Sequence, residues 1–111
     1  MRKGLVYRNN QLAGYLCEVS VGNYVFEYDD QYIRNHELPA ISLTLPKSQK
    51  VHESKHLFPF FFNLLSEGVN RQLQCRQYKI DENDDFGLLL ATAKYDTIGA
   101  VSVKPAKDGD R

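Results

Sequence analysis

The residues His52-Glu53-Ser54-Lys55-His56 match H-E-x-x-H, in which two imidazoles one helical turn apart bind zinc and the intervening glutamate acts as general base. Taken at its letters, the motif would make the chain a small zinc metallopeptidase with Glu53 as the base. The imidazoles need a stable helix beneath them. This stretch instead lies between Pro46 and Pro59 among Lys47, Ser48, Gln49, Lys50 and Lys55, with no apolar stripe to dock a helix on a core. A third ligand would have to be His36, Glu67 or Glu82, none of which sits at a recognised family spacing. The segment reads as a solvated loop that contains two histidines. The run Asp81-Glu82-Asn83-Asp84-Asp85 starts like a calcium loop, but Phe86 stands where the loop needs glycine and Thr92 where it needs glutamate. Helix capping accounts for it better. The glycines never approach G-x-G-x-x-G or a Walker loop, no serine sits in G-x-S-x-G, and Cys75 has no local base beside Gln74 and Arg76. The expectation is no enzymatic activity, no catalytic residues, no metal and no cofactor.

The elements that would position these residues divide the chain in two. Residues 5–8 and 12–19 flank Asn9-Asn10, a pair that tolerates the positive φ angles of a tight hairpin turn. Gly22-Asn23 is a second turn signal, followed by the β-prone Tyr24-Val25-Phe26-Glu27-Tyr28. Asp29-Asp30 suits the cap of a short helical turn over 31–34. Ile41-Ser42-Leu43-Thr44-Leu45 alternates cleanly up to Pro46 and predicts a fourth strand. Helical periodicity begins at Phe58-Pro59, where Phe58, Phe62, Leu65 and Val69 form one stripe that Phe61 and Leu64 widen. Four of the six phenylalanines fall in residues 58–62, which predicts a central helix buried on more than one side, with part of its aromatic surface free to meet a partner. A break near Ser66-Glu67-Gly68, a second helix over 69–78 and a third starting at 83–85 follow, the last with Phe86, Leu89, Leu90 and Ala93 as its apolar set. Residues 99–103 read as a late strand that rejoins the sheet. The fold class is α+β: a small antiparallel sheet of about five strands packed against two to three helices.

Composition bounds the function. At 111 residues the chain fits one domain, placed at residues 1–105 with a frayed tail at 106–111. Lys plus Arg equals Asp plus Glu at 14 each, so the basic excess that neutralises phosphates is missing and direct nucleic-acid binding is not expected. No apolar run approaches the roughly 20 residues of a membrane helix. Polar Arg8 follows the basic start too soon for a signal peptide. Cys17 and Cys75 read as free thiols of a reducing cytosol, which makes the protein soluble and cytoplasmic in expectation.

Four segments, in order, resemble a known family. Ser42-Leu43-Thr44-Leu45-Pro46 is similar to the S-L-x-L-P segment of the N-terminal subdomain of HipA-type serine/threonine kinases, and residues 60–68 (FFFNLLSEG) to its F-F-x-N-L-L-P-E-G segment. Residues 85–90 (DFGLLL) are similar to its D-x-F-x-L-L helix, and residues 96–105 (DTIGAVSVKP) to its closing D-x-x-G-A-V-x-V-x-P strand. The resemblance spans about Gly4 to Pro105, with Ser66 in place of the usual proline. In the full-length kinases a kinase body follows this subdomain and supplies the nucleotide lysine, catalytic aspartate and metal-binding residues; these 111 residues contain no such set. The resemblance therefore implies a stand-alone, HipS-like regulatory subunit or antitoxin. Its implied partner is a separate HipT-like kinase, with a HipB-like DNA-binding protein as a further member of the complex. The remaining alternative is a structural remnant of a split kinase that regulates nothing.

The segment Ser66, Glu67, Gly68, Val69, Asn70, Arg71 and Gln72 is the expected partner-binding surface. A glycine-bearing break can project side chains and leave unpaired N–H groups at a helix start. On this reading Val69 supplies an apolar contact and Arg71 a charge-assisted one; the alternative is that Glu67 and Gly68 only shape a helix–helix corner.

Overall fold

The computed structural model describes residues 2–93 and 101–106. The expected motif residues 96–100 and the tail from residue 107 lie outside the described residues. The sheet begins as a hairpin of β1 (Arg2–Arg8) and β2 (Gln11–Ser20). Asn9 and Asn10 close it at φ 51° and 65°, the left-handed pair that matches strand twist in a two-residue turn. After the turn at Val21-Gly22 comes β3 (Asn23–Tyr28), and Asp29 then caps α1 (Asp30–Arg34) by accepting from the Gln31 and Tyr32 N–H groups. β4 (Val51–Ser54), α2 (Pro59–Phe62), α3 (Gly68–Tyr78), α4 (Asp85–Thr92) and β5 (Val101–Pro105) complete the described chain. The strands lie in the order β4-β3-β2-β1-β5, every neighbour antiparallel, so the last strand returns to pair β1 at the far edge. The α+β class holds, with four helices, two of them about a single turn.

Register shows how the core is built. Gly4, Leu16, Phe26 and His52 are successive partners across β1 to β4, and Val103, Val6, Gly14 and Tyr28 form the next row on the same face. Phe26 is fully buried, edge-on to Tyr28 at 4.9 Å between ring centroids and 5.7 Å from Phe61 of α2. Phe86, Leu88 and Leu89 of α4 complete the layer, all fully buried.

Two elements depart from the sequence expectation. Residues 41–45 are not a strand. Ile41 and Leu45 are buried anchors, but Leu43, which a strand would place on their face, is 100% exposed. The backbone turns, with the Leu45 N–H donating to the Ser42 carbonyl at 3.1 Å. The buried Tyr28 hydroxyl takes the place of a ladder: it donates to the Leu45 carbonyl and accepts from the Ile41 N–H. The fourth strand is β4, formed by 51–54. It is the very segment expected to be a solvated loop, and it pairs with 24–27 of β3.

The phenylalanine-rich helix is also shorter than its stripe implies. Leu64 and Leu65 close tight turns onto Phe61 and Phe62, because Asn63, Ser66 and Gly68 are poor helix formers and Gly68 sits at φ 61°, outside the right-handed helix. Phe58, Phe61 and Leu65 are buried, whereas Phe62 and Val69 are 42% and 69% exposed. What was expected as one central buried helix is a single turn followed by an outward loop.

Candidate functional site

The H-E-x-x-H letters fall on β4 and the turn after it. His52 lies in the strand and His56 two residues past its end, so the two imidazoles do not stack on one helical face. His52 is buried, edge-on to Tyr28, with Nε2 at 3.1 Å from the Pro46 carbonyl oxygen, while His56 is exposed. Among the described residues no three His, Cys, Asp or Glu side chains gather in a way that could hold a metal ion. Cys17 and Cys75 are free thiols. No helix among the described residues is long and apolar enough to cross a membrane.

The segment 66–72 lies at the other end of the helical layer. Ser66 is half-buried in the turn, Glu67 takes the N-cap position without a side-chain cap bond, and Gly68 supplies the positive φ that redirects the chain into α3. A Cβ at Gly68 would meet nothing within 4 Å, so glycine is needed for backbone conformation, not for space. Asn70 and Gln72 are exposed. Arg71 is turned inward: its guanidinium donates to the Glu82 carbonyl at 2.6 Å and to Asp85 Oδ1 at 2.5 Å, tying α3 to the start of α4. The structure thus groups Val69 with exposed polar neighbours and occupies Arg71 inside the molecule.

Helix α3 is thinly attached to the rest. Cys75 is its one buried side chain. Its far end closes through left-handed Lys79 at φ 57°, with the Ile80 N–H donating to the Cys75 carbonyl at 2.8 Å. At 100° per residue, Arg71 and Cys75 define the inner face, while Val69, Leu73 and Arg76 share the opposite one. Leu73 is 53% exposed. Sequence reading overlooked Leu73 and Arg76, although Leu73 stands one helical turn beyond Val69 and could have been found by that spacing.

Helix α4, which holds Arg71, is itself fixed by the first strand. Arg2, Glu18 and Tyr24 are successive partners across β1, β2 and β3. The Arg2 guanidinium makes a bidentate pair with Asp84 at 2.8 Å for both bonds, reaches Glu18 Oε1 at 2.7 Å, and lies 5.3 Å from the Phe86 ring centre. Asp84 also caps α4 by accepting from the Gly87 N–H at 3.1 Å. A Cβ on Gly87 would fall 2.3 Å from Asp84 Oδ2, so glycine there lets the carboxylate fold onto the helix. Hydrogen bonding to Arg2 holds the Asp84 carboxyl below its ordinary value and raises the already high Arg2 value further. Burial, followed by the charge of Glu18, raises the Tyr24 phenol, whose hydroxyl donates to Glu18 at 3.2 Å. Because Asp84 binds its proton more weakly when folded, its contribution is in place above about pH 4 and is lost as pH falls through the depressed folded value. Urea unfolding followed between pH 7 and pH 2.5 is expected to show this loss, and an Asp84→Asn variant a shallower one. Equal slopes would show that Asp84 is not the group responsible.

Comparison with known proteins fits this geometry. An uncharacterized protein of Haemophilus influenzae is 32% identical over 107 residues, covering 96% of this chain and 95% of its own. A solved structure described as the N-terminal domain of HipA toxin superposes with a TM-score of 0.69 at 26% identity, covering 96% of this chain and 94% of that one. The HipA N-terminal domain family matches residues 4–104, so nearly the whole chain, from the Arg2-anchored sheet to the closing strand, belongs to the HipA N-terminal domain family.

Proposed function

We propose that the protein is a non-catalytic regulatory subunit that binds a separate HipA/HipT-like serine/threonine kinase and restrains it, as the antitoxin of a toxin–antitoxin system. The observation that carries this reading is the outer face of α3, where Val69 and Leu73 stand 69% and 53% exposed on a helix that buries only Cys75. Helices that dock into a partner's groove do so through apolar anchors spaced three or four residues apart, the spacing of Val69 and Leu73. The family supplies the context, since the solved relative is named as part of a toxin. The 111 residues themselves hold no phosphate cradle or catalytic set for phosphoryl transfer.

The complex works in the cytoplasm, and a HipB-like protein, if present in it, makes the DNA contacts, because this chain has no net positive charge to neutralise phosphates. Co-expression tests the reading. A kinase body encoded beside this chain is expected to co-purify with it and to arrest growth only when the chain is withheld. A kinase that arrests growth equally in its presence and does not co-purify would leave the domain a remnant without a regulatory role.

A further inference from the structure

An open cleft of about 460 Å³ lies between the start of β3, the turn after β4, α2 and the start of α4. Its apolar side is built from Tyr24, Leu57 and Phe62, and its rim carries Lys55 and His56. Asp85 also lines it, but the Arg71 guanidinium 2.5 Å away neutralises that carboxylate. Among the described residues Lys55 has no ion-pair partner, so the cleft presents an uncompensated cation above an aromatic wall. The turn that presents Lys55 and His56 is fixed by the His56 N–H donating to Ser54 Oγ at 3.1 Å. Phe62, the exposed aromatic of the α2 turn, is thereby given a place in a site.

We propose that this cleft binds an extended acidic segment of the partner protein, seating an apolar or aromatic residue against Tyr24 and Phe62 and a carboxylate at Lys55 and His56. Charge complementarity selects the acidic class, since a basic segment would be repelled by Lys55. An adjoining hollow of about 340 Å³ shares Tyr24 and Lys55 but carries Glu53. A second carboxylate would be repelled there, so the acidic residue lies on the His56 side. The assignment of this segment to the kinase rests on the proposed function; the chemistry of the cleft does not.

The test uses the purified full chain and two blocked pentapeptides of the same length, Glu-Asp-Phe-Glu-Asp and Lys-Lys-Phe-Lys-Lys, titrated by amide NMR. The acidic peptide is expected to give saturable shifts centred on Gly22, Lys55, His56 and Leu57. Its binding should weaken severalfold between 50 and 300 mM salt, and the lysine peptide should give none. A Lys55→Glu, His56→Glu variant should lose at least about tenfold in affinity, with its other resonances unmoved. Shifts that do not saturate, that the lysine peptide reproduces, or that survive the double variant would overturn the proposal. Acidic-peptide binding by a chain that captures no kinase would keep the cleft and refute the kinase as its occupant.

Discussion

Replacing Val69 and Leu73 together by aspartate is expected to weaken capture of the partner kinase by about a hundredfold or more, without changing the fold. Both side chains already face solvent, at 69% and 53% exposure, so a charge there costs the free protein little. In a complex each would be buried near the centre of the interface, where truncating such a residue costs about 1–3 kcal/mol and about 1.4 kcal/mol corresponds to tenfold. Isothermal titration against the kinase, with circular dichroism as the fold control, measures the effect. Arg71→Glu is not an equivalent probe, because Arg71 donates to the Glu82 carbonyl and to Asp85. Its loss would free the start of α4 and the first turn of α3 before any partner is met. Affinity retained in the double aspartate variant would exclude the outer face of α3 and move the interface to the Phe62 side.

Phe26→Ala is expected to cost about 3–5 kcal/mol of stability, lowering the melting temperature by roughly 15 °C in a domain of this size. Phe26 is fully buried at the middle of the β1-to-β4 row and touches the rings of Tyr28 and Phe61. Removing it leaves a cavity exactly where two devices converge. Tyr28 holds the 41–45 turn through its hydroxyl, and Phe61 holds the single turn of α2 from which the 63–68 loop leads to α3. The damage should therefore reach the proposed binding surface on α3. Thermal unfolding checks the first part, and faster amide exchange at Asn63 and Leu64 the second; a drop of only a few degrees would place the centre of the core elsewhere.

Much of the fold was legible because its signals are local. Asn9-Asn10 announces a hairpin by backbone chemistry alone, Asp29 and Asp84 announce helix starts, and Phe86, Leu89 and Ala93 mark the inner side of α4 at helical spacing. The errors arose where a distant residue decides. Alternation in 41–45 looks the same whether the backbone groups enter a ladder or meet a phenol, and the phenol of Tyr28 lies 13 residues before Ile41. β4 is polar by its letters and becomes a strand because β3 offers it a free edge. The segment 66–72 was legible as a break, through Ser66 and Gly68. The direction of Arg71 was not, since Asp85, its partner 14 residues away, had read only as a helix cap.

Restraint of a kinase in trans is measured by kinase activity titrated with this chain. Autophosphorylation of a HipT-like kinase that co-purifies with this chain, followed with labelled ATP, should fall in proportion to added protein. It should reach its floor at one chain per kinase, and the Val69→Asp, Leu73→Asp variant should leave it unchanged at the same ratio. Undiminished kinase activity at a tenfold excess of the wild-type chain would contradict the account.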